Sequence, residues 1–217
     1  FVNMESAIAE SSDVYFYNIA FDLTVSSISP FLAKFGFGSS SKLLGNESKG
    51  ILPDKKWKLG QKGEFWFKGD TINMGIGQGY ILTTPLQIAI AYSALVNGGQ
   101  LITPRIVESI DGVATEFSSK RIELKNNENW ELIKKALVSV VESNKGTAHN
   151  LFDPKKRIAG KTGTAQVKSL INDIKYQEIR ENELLRDHAL FVGYGPIEKP
   201  SLVVVVIVEN GESGSLV

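Results

Sequence analysis

At 217 residues, 42% of them hydrophobic and 22% charged, the chain is long enough for one domain or slightly more and can bury a core, which excludes collagen-like and disordered classes. Its 24 Lys and Arg balance 24 Asp and Glu, so net charge is zero, a general polyanion binder is excluded and no nucleic acid partner is expected. There is no Cys, which removes disulfides, thiolate metal sites and cysteine nucleophiles.

In chain order, residues 3–10 and 14–23 read as helices separated by Ser11-Ser12-Asp13, with Ser or Asp capping the second helix near Val14. Residues 27–34 read as a short helix closed by Gly36 and Gly38. Residues 39–70 carry Gly, Pro and charge throughout and read as an irregular loop region. The spacing then predicts a helix over 85–97, with Thr84 as its cap, Pro85 in its first turn and Gly98-Gly99 ending it. That helix is apolar on nearly every face and belongs in the interior. A second amphipathic helix follows over 128–143, with Trp130, Leu132, Ile133 and Leu137 on its stripe.

Three strands close the chain, at 158–167, 188–194 and 202–209. The short turn at 195–200 makes the last two an antiparallel hairpin, and the polar stretch from 168 to 186 is expected to be a mobile flap. The expected class is α+β, a helical region packed on an antiparallel sheet. No apolar run approaches the roughly 18 residues of a membrane span. The opening Phe1-Val2-Asn3-Met4-Glu5 is not a signal peptide, and the chain is expected to be a segment of something longer.

The sharpest chemistry lies in Ala159-Gly160-Lys161-Thr162-Gly163-Thr164-Ala165. A Lys facing a cleft from a strand offers a fixed positive charge. A neighbouring Thr hydroxyl can bind a carboxylate, and flanking Gly residues let a substrate backbone come close. Alone, such a triplet arises by chance at the level of roughly a few per cent, and its plain alternative is a solvent-facing Lys on an edge strand. Far upstream, Ser11 offers a hydroxyl able to relay a proton, and Asp13 a hydrogen-bonding carboxylate.

Ser-x-Asp followed at long range by Lys-Thr-Gly resembles the pattern of the penicillin-binding proteins and serine β-lactamases. Five further segments, Ala7 to Tyr17, Gly77-Gln78-Gly79-Tyr80, Thr83-Thr84-Pro85-Leu86-Gln87, Asn97-Gly98-Gly99 and Pro104-Arg105-Ile106, resemble the class B penicillin-binding proteins. So does Gly146-Thr147-Ala148, and Asp187-His188-Ala189-Leu190-Phe191-Val192-Gly193-Tyr194 is similar to the cell-elongation branch, penicillin-binding protein 2. The matches run in family order along nearly all of residues 1–217, which makes the chain resemble a partial transpeptidase domain.

That resemblance implies a peptidoglycan D,D-transpeptidase that cross-links stem peptides through a serine ester, is covalently inhibited by β-lactam antibiotics and needs no cofactor or metal. It implies catalytic roles for Ser11, Asp13 and Lys161 and substrate binding by Thr162, Gly163 and Thr164. It also implies an anchor in the bacterial inner membrane with this domain on the periplasmic side, and two partners, a lipid II polymerase and a rod-shape scaffold protein. The family's nucleophile lies in a Ser-x-x-Lys motif well upstream of Ser-x-Asp, and only ten residues precede Ser11, so the nucleophile and the closing helix are expected outside this chain. The formal match Ser39-Ser40-Ser41-Lys42 stands in the wrong order, in a loop. Ser12 stands where this branch often has Cys.

Competing expectations are a β-lactam sensor or β-lactamase of the same fold, which deacylation would reveal, and a non-catalytic binding module. A nucleotide-binding reading rests only on the glycines from Gly75 to Gly79, which follow no clear strand. His149 and His188 lack metal-ligand spacing, and His188 is expected to be structural.

Overall fold

The computed structural model describes residues 2–166 and 183–215, so residues 167–182, the greater part of the expected flap, lie outside the described residues. The chain divides into two units, one of Phe1–Ser12 with Lys134–Val217 and one of Asp13–Ile133.

In the first unit, α1 (Met4–Ala9) starts at Asn3, whose side chain accepts from the Ser6 N–H and satisfies an end group of the helix. Its Glu5 carboxylate accepts from Ser139 at 2.9 Å and meets Lys135 at 2.9 Å, so α1 is tied to the second half of α7 (Glu128–Glu142). The three late strands form where the alternation placed them. β5 (Ala159–Ala165), β6 (His188–Gly195) and β7 (Leu202–Val208) pair antiparallel in that order. Lys161 pairs with Val192, Thr162 with Phe191 and Gly163 with Leu190. Ala159, Ala189, Val140 and Val141 are buried at or near zero exposure and form much of this unit's core.

Gly160 is needed here for space. A Cβ on it would lie 2.5 Å from Cζ of Phe191 and 2.6 Å from the Val192 carbonyl oxygen. Its register partner Gly193 would likewise put a Cβ 2.7 Å from the same ring. Phe191 therefore lies flat across two side-chain-free positions on one face of the sheet, and it brings the backbone of β5 close to β6 directly before Lys161.

The second unit holds α2 (Asp13–Leu23), α3 (Val25–Ala33), α4 (Lys55–Lys62), α5 (Lys68–Gly75) and α6 (Pro85–Val96). Its core cluster is Phe35, Ala91, Ala94, Ile122 and Trp130, with Phe35 edge-on to Trp130 at 6.2 Å. Thr84 caps α6 as expected: its hydroxyl accepts from the Gln87 N–H while the Gln87 side chain accepts from the Thr84 N–H. Gln87 is 3% exposed, and its amide also donates to the carbonyls of Ser39 and Lys49, both at 2.9 Å, which pins the loop before α4 to α6.

The expectation of an irregular region over 39–70 is corrected, because α4 occupies its second half and α5 begins within it. Charge and Gly there serve the helix ends. Asp54 caps α4 by accepting from the Trp57 N–H at 2.7 Å, and Gly63 closes it in the left-handed conformation. Asp70 accepts from the Phe67 N–H at the start of α5 and from Lys58 at 2.7 Å, which joins the two helices. The bond to Asp70 is also the main cause that raises the Lys58 pKa above the ordinary lysine value. Two two-stranded ribbons were not expected: β1 (Gln100–Ile102) with β4 (Ser119–Arg121), and β2 (Ser109–Ile110) with β3 (Val113–Ala114). At two or three residues each they are too short to show an alternation. Among the described residues no helix is long and apolar enough to cross a membrane.

Candidate active site

Ser11 owes its position to the way α1 ends. The Ser12 N–H donates to the Ala7 carbonyl at 2.8 Å and the Ser11 N–H to the Ile8 carbonyl at 3.3 Å. These are the two bonds of a Schellman closure, whose left-handed residue is usually Gly. Here that residue is Ser11, at φ 54°. A side chain with a Cβ in this conformation costs about 1–2 kcal/mol, and cost of that kind gathers at functional sites. The turn leaves Ser11 exposed at the end of α1, and α2 opens one residue earlier than expected, at Asp13. Asp13 itself is exposed in the first turn of α2, where the positive end of the helix dipole favours a carboxylate.

Lys161, 150 residues later, donates from Nζ to Ser11 Oγ at 2.8 Å. The same ammonium donates to the Thr162 carbonyl at 2.9 Å and reaches the Thr162 hydroxyl at 3.4 Å. The proximity expected of Ser11 and Lys161 is therefore direct contact. A hydroxyl that accepts from an ammonium keeps its own proton to donate, so the pair can pass a proton between Lys161 and a third group.

β5 is an edge strand of its sheet, with β6 on one side. The Thr162 carbonyl points off the other side, because Lys161 reaches it there. Backbone groups two residues apart in an antiparallel strand share a side, so Thr164 presents its N–H and carbonyl to that same edge. Gly163 lies between them, half-buried, and Thr164 is exposed. The edge thus combines a fixed cation, a hydroxyl and a row of backbone groups beside Ser11, an arrangement suited to an anionic ligand with an extended backbone.

Thr147 belongs to this group, and the sequence gave it no role. Its hydroxyl lies 2.8 Å from the hydroxyl of Thr162 and its N–H donates to the Ala9 carbonyl at 3.1 Å. It was visible only as the middle of Gly146-Thr147-Ala148.

The other candidates stand elsewhere. Ser39 to Lys42 form a turn in the second unit, where the Ser40 and Ser41 hydroxyls donate to Glu47 at 2.9 and 2.7 Å. Those bonds, the Ser41 and Lys42 N–H groups and above all the Leu44 N–H hold the Glu47 pKa down to about 2. Gly75 to Gly79 follow the helix α5 rather than a strand, which removes the nucleotide-loop context. His188 Nδ1 accepts from the Asn210 N–H at 2.9 Å and fastens the turn after β7, and His149 Nδ1 donates to the Val141 carbonyl at 3.1 Å. Among the described residues no three His, Asp or Glu side chains stand together as a metal site would need.

The family model for the penicillin-binding protein transpeptidase domain matches residues 1–217. Peptidoglycan D,D-transpeptidase MrdA of Haemophilus influenzae is 39% identical over 220 residues, covering 98% of this chain and 34% of that protein. The crystal structure of Pseudomonas aeruginosa PBP2 in complex with WCK 5153 is similar with a TM-score of 0.87 and 38% identity, covering 99% of this chain and 44% of that one. The complex of PBP2 and MreC from Helicobacter pylori is similar with a TM-score of 0.82 and 33% identity, covering 97% of this chain and 37% of that one. The chain spans about a third of the length of the curated relatives it matches.

Proposed function

The chain belongs to the penicillin-binding protein transpeptidase-domain family, and from that premise we propose that it forms the lysine side of the active site of a peptidoglycan D,D-transpeptidase acting in cell-wall elongation. The observation that carries the reading is the 2.8 Å bond from Lys161 Nζ to Ser11 Oγ, which joins two segments 150 residues apart.

In this reading a serine upstream of Phe1 attacks the carbonyl of the penultimate D-Ala of a stem peptide. The peptide bond to the terminal D-Ala breaks, a serine ester forms, and the leaving amine takes a proton through Ser11. The amine of a second stem peptide then attacks the ester, releases the serine and forms the cross-link. Lys161 supplies positive charge to Ser11 and to the substrate carboxylate. Thr162 and Thr164 bind that carboxylate with their hydroxyls, and Gly163 lets the substrate backbone approach the strand. Asp13 orders the turn and contacts a substrate amide. The Thr164 N–H supplies one donor of the oxyanion hole, a contact whose loss typically costs about 10²–10³ in rate. β-Lactams acylate the same serine. The protein is anchored in the inner membrane with this domain on the periplasmic side. It works with a lipid II polymerase and a rod-shape scaffold protein, the latter supported by the MreC complex of the similar Helicobacter pylori protein.

The test uses the longer protein with a peptide ending in D-Ala-D-Ala and an acceptor amine. Release of D-Ala together with a peptide–acceptor product is the expected result. Hydrolysis without transfer would assign a hydrolase, and no release by a folded protein would assign a binding module.

A further inference from the structure

We propose that Thr147 is a positioning residue that makes the Thr162 hydroxyl a committed donor to the substrate carboxylate. The inference rests on the transpeptidase reading of the site.

Thr147 is fixed from three sides. Gly146 lies so close to the end of α7 that a Cβ on it would be 2.2 Å from the Val140 carbonyl oxygen and 2.6 Å from that of Ser139. The Gly146 N–H donates to the Ser143 carbonyl at 2.8 Å and the Ala148 N–H to the Val140 carbonyl at 3.0 Å. Between them the Thr147 N–H donates to the Ala9 carbonyl, in the last turn before Ser11. A backbone held this way leaves the Thr147 side chain little freedom, and its hydroxyl lies 2.8 Å from Thr162 Oγ1.

A hydroxyl has one proton to give and two acceptor positions. Lys161 Nζ can only donate, and it approaches Thr162 Oγ1 at 3.4 Å. When Thr147 donates as well, both acceptor positions of Thr162 are filled and its single proton is left for a ligand. With the reverse polarity Thr162 would spend that proton on Thr147 and face an anion with lone pairs. A carboxylate at the edge of β5 therefore selects the chain Thr147 to Thr162 to carboxylate, in which each bond polarises the next. The same residue ties the turn before Ser11 to the strand of Lys161, so one side chain serves both halves of the site.

The test compares wild type, Thr147→Val and Thr147→Ser in the longer protein. The probes are a fluorescent penicillin with a free carboxylate and its methyl ester, and the readout is the second-order acylation rate from denaturing gels. Valine keeps the shape and removes the hydroxyl, while serine restores the hydroxyl. Thr147→Val is expected to slow acylation by the free acid about tenfold, the scale of one bond to a charged group, and to leave the ester rate unchanged. Thr147→Ser is expected to regain most of the free-acid rate. Equal slowing with both probes, or no slowing with either, would overturn the role. If wild type reacts with neither probe, the transpeptidase reading itself fails and this role fails with it.

Discussion

Gly160→Ala tests the packing that holds Lys161 in place. The new methyl would stand 2.5 and 2.9 Å from Cζ and Cε2 of Phe191 and 2.6 Å from the Val192 carbonyl oxygen. Comfortable carbon contacts begin near about 3.5 Å, so roughly 1 Å of overlap must be absorbed. The carbonyl belongs to the strand paired with β5, so its retreat disturbs the ladder. The ring is 9% exposed and already rests against Gly193, so it has little room to withdraw. Overpacking of this kind costs about 1–3 kcal/mol. At roughly 2–4 °C per kcal/mol for a protein of this size, the melting temperature should fall by about 2–12 °C. Thermal unfolding followed by circular dichroism measures it. Adding Phe191→Leu removes the ring atoms but leaves the carbonyl contact, so the double variant should lose at least about 0.5 kcal/mol less than the sum of the single changes. A Gly160→Ala melt within about 1 °C of wild type, or strict additivity in the double variant, would refute the packing argument.

Ser11→Gly removes the left-handed cost together with the hydroxyl, so it should melt higher than Ser11→Ala, by about 1 kcal/mol; a lower melt would show that Ser11 is unstrained. Thr84→Ala removes the capping box of α6 and should cost about 1 kcal/mol in denaturant unfolding, and an unchanged midpoint would contradict the cap. Glu47 has a folded pKa of about 2, below the usual carboxylate value, so its contribution is complete above about pH 4.5 and is lost as pH falls through 2. Hydrogen exchange at the Ser41 and Leu44 amides should therefore quicken over that window, and Glu47→Gln should flatten the profile. Equal pH profiles for the two proteins would contradict the assignment.

What the sequence made legible was local. Thr84, Pro85 and Gln87 specify the start of α6 within four residues, and the alternation in 202–208 needs no distant partner to mark a strand. α4 and α5 were hidden because Asp54, Gly63 and Asp70 look like loop residues until the chain returns to use them as caps and as the partner of Lys58. Ser11 was visible as a hydroxyl between two helices. Its left-handed backbone was not, because that position usually announces itself with Gly. Gln87 reads as one polar residue on an apolar helix, and its partners Ser39 and Lys49 lie 48 and 38 residues away. Thr147 shares that difficulty: the strand it supports begins 12 residues later, and the helix turn it bonds lies near the start of the chain. The pairing of Ser11 with Lys161 was reachable only because both motifs stand in an order that a known family uses.

The most direct test of the site is labelling of the longer protein by a fluorescent penicillin, with Lys161→Ala beside wild type. Wild type should carry a covalent label, and Lys161→Ala should label about 10²–10³ times more slowly while keeping the wild-type circular dichroism spectrum. The 217-residue chain alone should carry none. Labelling of folded Lys161→Ala at the wild-type rate would contradict the site described here, as would a label on the 217-residue chain that Ser39→Ala abolishes.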